Sequence, residues 1–197
     1  MLTRKSRLFG VPITVILLLV IVVGVVAAAN KIVTQEPVHA FPAAGGVDPI
    51  PGTMATLSRF EDKVHISFPG NNLDANHAYT LWAVNWDNPG NCSGACDMED
   101  VCTVAGSSVY YVAGQVIDDE GAVNFNATIH EGREVGEFAC HEASTMPGLG
   151  DAQNAEIHFV ARSHGDQIPG LVSEQIHTFM GGCGINTCVD QRAAAFK

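Results

Sequence analysis

Positive charge is scarce in this chain. Ten Lys and Arg residues stand against 21 Asp and Glu, and three of the ten (Arg4, Lys5, Arg7) precede residue 8. Residues 31–197 therefore keep seven basic residues against all 21 acids, a balance of −14 with histidine neutral. A domain this acidic repels phosphate backbones and anionic lipid surfaces, which argues against nucleic acid as a partner. Catalytic signatures are missing too. There is no Gly-x-Ser-x-Gly elbow, no phosphate loop and no zinc-protease helix, so hydrolase and nucleotide chemistry lose their usual marks. No Cys-x-x-Cys-His occurs, which argues against covalent haem.

Charge is absent altogether between Arg7 and Lys31, where residues 8–29 are almost wholly aliphatic. A helix of that length rises roughly 33 Å, enough to cross a bilayer core of about 30 Å. The basic residues before it place the N-terminus in the cytoplasm and the rest of the chain on the far side. Ala27-Ala28-Ala29 offers small residues to a signal peptidase, but signal-peptide cores are shorter, about 7–15 residues. The run reads as an uncleaved signal-anchor, and both readings export the domain. The expected layout is a cytoplasmic N-terminus (1–7), a transmembrane signal-anchor (8–30), an extended Pro- and Gly-containing tether (31–52) and one folded domain (53–197).

Six cysteines lie in that domain: Cys92, Cys96, Cys102, Cys140, Cys183 and Cys188. An even number in an exported chain reads as disulfides. Fifteen connectivities exist for six cysteines. The preferred set pairs Cys183 with Cys188 around Gly-Ile-Asn-Thr, Cys92 with Cys96, and Cys102 with Cys140.

Alternation of period two recurs along the domain. Val64, Ile66 and Phe68 share one face, as do Val123, Phe125, Ala127 and Ile129, and residues 156–164 repeat the pattern. Residues 53–60, 78–86, 109–117 and 173–180 complete the expected strands, with Asp118–Gly121 as a hairpin turn. With no amphipathic helix in evidence, the expected fold is all-β, an antiparallel Ig-like sandwich of about seven strands behind one transmembrane helix. The longest connections, 87–108 and 131–154, hold four of the six cysteines and are where function is expected.

The segments Tyr79–Pro89, Ala155–Gly165 and Thr178–Cys183 resemble a loose group of uncharacterised secreted bacterial β-sandwich-like proteins. The likeness covers most of residues 53–190 and implies no activity. Cys102 and Cys140 depart from the group's pattern.

Histidine is the chemically suggestive residue. His65, His130, His158, His164 and His177 all fall on the outward phase of their expected strands. Aligned by neighbouring strands, His65, His130, His158 and His177 could hold Cu²⁺ or Zn²⁺, with Glu156 as an oxygen ligand. His158 and His164, six apart on one strand and about 20 Å end to end, cannot share a metal. The His-x-His pair of copper/zinc superoxide dismutases is missing. Asp97–Asp100 and Asp118–Glu120 are oxygen clusters that could take Ca²⁺, without EF-hand spacing. Among the aromatic residues, Tyr110 and Tyr111 must face opposite ways and Trp82 reads as the buried centre of the sandwich. Trp86, Asn88 and Tyr111 are the expected partner-binding residues. Glu156 and His158 share a face as an acid–base pair without substrate logic, so the chain reads as more binding module than enzyme. The first expectation is a non-enzymatic, membrane-anchored extracytoplasmic binding module, of the kind that serves as an accessory subunit of a larger membrane complex, whose partner is another membrane or exported protein. The alternative is a copper/zinc or redox sandwich built on the histidines.

Overall fold

The computed structural model describes residues 31–41, 47–133 and 146–197. The apolar run and Cys140 lie outside the described residues. No helix among the described residues is long and apolar enough to cross a membrane.

Eight strands follow one another: β1 (Ile32–Ala40), β2 (Pro49–Arg59), β3 (Lys63–Gly70), β4 (His77–Trp86), β5 (Ser107–Val116), β6 (Val123–His130), β7 (Glu156–Asp166) and β8 (Val189–Phe196). They form one sheet in the order β5-β4-β7-β8-β1-β2-β3-β6, and every ladder is antiparallel. Among the described residues the fold is all-β, with helix reduced to the single turn α1 (Val172–Gln175) and a 3-10 turn at Pro89–Asn91.

The alternation of β3 and β6 is realised residue by residue. Val64, Ile66 and Phe68 are fully buried, and Val123, Phe125 and Ile129 lie within 8% of full burial. Asn124, Asn126, Thr128 and His130 face outward. These side chains meet Leu57 from β2, Tyr79, Leu81 and Ala83 from β4, Phe159 from β7 and Phe196 from β8 in one core. Both halves of the sheet therefore close on the same interior.

Three expectations are corrected. Residues 32–40 are not a tether but β1, paired with β2 over most of its length and with β8 through His39 and Ala40. Its burial pattern mixes exposed and half-buried positions because only Val38 is fully buried, so alternation is weak. Residues 173–180 are not a strand; they contain most of α1 and the turn after it. The last strand is β8, whose Ala193, Ala194 and Ala195 give almost no hydrophobic contrast between faces. The sheet thus has eight strands rather than about seven.

Asp118–Gly121 forms the expected turn, with Asp118 Oδ1 accepting from the Glu120 amide at 3.1 Å and Gly121 at φ +67°. It is not a hairpin. β5 and β6 are the two edges of the sheet, and the turn carries the chain across the seam between them. The segment 71–76 runs along the same seam: Leu73 N–H donates to Gly121 O at 3.0 Å and Asn76 N–H to Ile117 O at 3.0 Å.

Gly114 marks where α1's end packs on β5. A Cβ there would lie 2.0 Å from Ile176 O, a backbone atom that cannot step aside. Gly114→Ala should lower stability by about 1–3 kcal/mol, the range for overpacking. Gly90→Ala, with nothing within 4 Å of the added carbon, should stay within about 0.5 kcal/mol. Chemical denaturation of both variants reads the difference.

Candidate functional site

Antiparallel sheets usually leave one face to water. Here β4 is buried on both, with every residue from Ala78 to Trp86 inaccessible. Tyr79, Leu81 and Ala83 enter the main core. Trp82, Val84 and Trp86 point to the other side, where they pack with Cys96, Val101, Val109 and Met146 in a second cluster, bordered by Cys92, Val104, Tyr111 and Phe179. The loops 87–106 and 167–188 supply much of this cover. Trp82 is buried as expected, but under the loops rather than at the centre of the main core.

Between that outer face and its cover lies a cavity of about 560 Å³, within the size range of small-ligand sites. Trp82, Val84 and Trp86 from β4, Val160 from β7 and Ala193 and Ala195 from β8 line it, with Phe41, Met98 and Phe179 around them. The alanines of β8 make the room, because a methyl group is all that rises from the sheet there. Polar groups are few: His39, His158, Asp97 and Asp190. His158 Nε2 donates to Glu156 Oε1 at 2.8 Å, and its ring meets Trp86 edge to face at 4.9 Å. Burial holds the His158 pKa below the ordinary imidazole range despite the Glu156 contact. Trp86 Nε1 is buried without an acceptor among the described residues.

Of the expected partner residues, Trp86 is 1% exposed and therefore lines the cavity instead of the surface. Asn88 is exposed, and Tyr111 is half-buried with its ring 5.9 Å from Trp82. Tyr110 is in the main core, opposite Tyr111 as the alternation requires. Asp87, beside Trp86, ties two loops together. Its Oδ1 accepts from Asn85 Nδ2 at 2.9 Å, from Gly150 N at 2.9 Å and from Asp151 N at 3.2 Å.

Two of the disulfides are as expected, Cys92–Cys96 and Cys183–Cys188. Cys102 is also disulfide-bonded, and its expected partner Cys140 lies outside the described residues. The expected metal residues are spread out. His65 on β3 contacts Thr128 Oγ1 at 3.2 Å. His130 ends β6 on the outside, His158 pairs with Glu156, and His177 follows α1 with Nδ1 donating to Ser173 O at 2.7 Å. Among the described residues the one group of three ligand atoms within 4.8 Å is His164, Cys183 and Cys188. The Asp97 and Asp118 carboxylates accept backbone amides of their own turns, Asp97 Oδ1 from Glu99 N at 2.8 Å and Asp118 Oδ1 from Glu120 N at 3.1 Å.

His164 is where alternation misleads. It sits on the outward phase of β7 yet is 0% exposed, because the 167–188 loop folds over it. Its Nδ1 lies 2.9 Å from Gly181 O and its Nε2 2.8 Å from Thr80 Oγ1. A carbonyl only accepts, so Nδ1 carries the proton and Nε2 accepts from the Thr80 hydroxyl. Thr80 Oγ1 in turn accepts from Trp82 Nε1 at 2.7 Å. Burial pushes the His164 pKa down from the ordinary imidazole value.

No family model, curated protein or solved structure matches this chain.

Both lowered histidines bind protons more weakly folded than unfolded. The stability they preserve is present above the unfolded value of about 6.5 and is lost as pH falls toward their folded values. Stability should therefore drop between pH 7 and pH 5, with a slope of up to about 1.4 kcal/mol per pH unit for each histidine. His158→Gln should flatten that slope in urea titrations; an identical slope would remove His158 from the account.

Proposed function

We propose that this chain is a non-enzymatic, membrane-anchored binding module displayed outside the cytoplasm, engaging an exported or membrane protein through the cavity over Trp82, Val84 and Trp86. The observation that carries the reading is that cavity: about 560 Å³, floored by two tryptophans, valines and alanines, on the outer face of a sheet. A pocket of that size lined by aromatic rings suits an apolar group presented by a partner, and buried aromatic anchors dominate such contacts. The unpartnered Trp86 Nε1 adds one donor for an acceptor on the incoming group. The acidic balance of residues 31–197 favours an uncharged or basic partner surface.

The anchor rests on the uncharged run at 8–29 and the basic residues before it. An anchored module meets membrane partners at raised local concentration, so a modest interface suffices. The resemblance to secreted bacterial proteins fits the same location. We read the sheet as a sandwich. Its halves β5-β4-β7-β8 and β1-β2-β3-β6 are joined by a ladder of only two residue pairs between β8 and β1 and share one core.

Nile red, a neutral apolar dye, stands in for the partner's apolar group. The oxidised domain should bind it with enhanced emission, and Ala193→Trp, which fills the cavity from β8, should weaken binding at least tenfold with an unchanged melting temperature. Equal binding by the variant would overturn the assignment of the cavity. Protease added to cells stripped of any outer membrane and wall should digest residues 31–197; protection of that region until the inner membrane is lysed would overturn the location.

A further inference from the structure

The cavity over β4 is walled by rings that cross one another steeply. Trp82 meets Phe179 edge to face, with centroids 5.2 Å apart and planes at 82°. Trp86 meets His158 in the same manner, at 4.9 Å and 67°. All four rings border the cavity. A small group seated in the corner between two crossed rings touches a face of each. The indole N–H of Trp82, the positive edge of that ring, is turned away to the Thr80 hydroxyl at 2.7 Å. Ring faces are negative by their quadrupole and attract cations, indole most strongly.

The charges around the cavity have the matching sign. Asp97 and Asp190 are part of its lining. Asp100 Oδ2 accepts from Asp97 N at 3.2 Å, and Glu156 stands 2.8 Å from His158 Nε2. Against these four carboxylates stand Arg162, tied to Asp190 at 2.7 Å, and Lys197, whose charge reaches His158. Burial lowers the His158 pKa, which works against a positive charge on that wall. The local surplus is negative, in a domain with seven basic residues against 21 acids.

The kind of cation follows from the apolar lining. A primary ammonium is strongly hydrated and needs hydrogen-bond acceptors when it leaves water, and this cavity has few polar groups. Full alkylation removes the N–H donors and clothes the charge in methyl groups, which suit tryptophan, valine and alanine walls. Arg162 already shows a cation held at this site's edge. Its guanidinium lies 4.2 Å from the Phe179 centroid, with Asp190 as countercharge. Because Arg162 takes a face of Phe179, the two indoles are the main ring walls left to a ligand.

We propose that this cavity binds a small quaternary ammonium ion of the choline class, held against Trp82 and Trp86 with the exposed carboxylate of Asp97 as countercharge. The volume of about 560 Å³ admits such an ion whole. The proposal rests on the cavity assigned above and adds a soluble cation that competes with the partner's apolar group for the same walls. Occupancy by one excludes the other.

The test uses the full chain in a non-ionic detergent and equilibrium dialysis against radiolabelled choline. The chain should bind one equivalent. The neutral carbon analogue of choline, with a tert-butyl group in place of trimethylammonium, should compete at least tenfold less well than choline itself. Asp97→Asn keeps the oxygen that accepts the Glu99 amide and should weaken choline binding about threefold, the scale of one exposed charge. Ala193→Trp and Ala195→Phe, each filling the cavity from β8, should abolish binding. Competition by the neutral analogue equal to choline overturns the proposal, as does absence of binding at millimolar choline. Parent affinity in both alanine variants overturns it by moving the site elsewhere, and parent affinity in Asp97→Asn overturns the countercharge. Nile red reads the cavity without any charge, so failure of the cation and failure of the cavity are told apart.

Discussion

The structure turns on one constraint: the half-sheet around β4 is apolar on both faces. A β-strand presents alternate residues to opposite sides, and β4 offers Tyr79, Leu81 and Ala83 to one and Trp82, Val84 and Trp86 to the other. The first set is covered by the opposing half of the sheet. Covering the second requires loops, and loops carry little secondary structure to hold them in position. The ties present are those such a cover needs: Cys92–Cys96 in one loop, Cys183–Cys188 in the other, and Asp87 bonded to the amides of Gly150 and Asp151. Closing a short loop by a disulfide stabilises by about 2 kcal/mol through the unfolded chain. That is a large fraction of the net stability typical of a domain.

The cover is incomplete, and the incompleteness follows from β8. Where β4 raises indole rings, β8 raises only methyl groups from Ala193 and Ala195. A loop spanning both cannot touch both, so space remains over β7 and β8. Phe179 closes one side. It packs edge to face on Trp82 at 5.2 Å and lies under the Arg162 guanidinium at 4.2 Å. Arg162 is itself fixed by Asp190 at 2.7 Å and by donation to Phe179 O at 3.2 Å. The wall of the cavity is thus tied to β7 and β8 where it meets the disulfide loop.

Much of the sheet was legible in the sequence because burial contrast was strong. β3 and β6 alternate large apolar and polar residues, and β4 and β5 are long apolar runs, so their positions follow from side chains alone. β1 and β8 were illegible for the opposite reason: Val38 is the one fully buried hydrophobic residue of β1, and the alanines of β8 look alike on either face. The pairing of Cys183 with Cys188 was set by its short span. The site was harder. Trp86 and His164 occupy outward positions by period, and alternation reports which side of the sheet a residue faces, not what covers that side. The signals for cover were the cysteines in the connections and an indole at Trp86 flanked by an apolar rather than a polar strand face.

Trp82 links the two regions. Its ring lines the cavity while its Nε1 donates to the Thr80 hydroxyl that partners His164. Phe179, on the cavity wall, accepts from Arg162 through its carbonyl and lies four residues before Cys183, whose Sγ is 3.7 Å from the same oxygen. A group seated against Trp82 and Phe179 would therefore touch residues that adjoin the sulfur loop. Coupling between two sites requires an element with distinct contacts in each state. The segment 176–188 spans both regions, since it contributes Phe179 to the cavity and Gly181, Cys183 and Cys188 to the surroundings of His164. Among the described residues that segment, the Arg162–Asp190 pair and the Trp82–Thr80–His164 hydrogen bonds are contacts the two regions share.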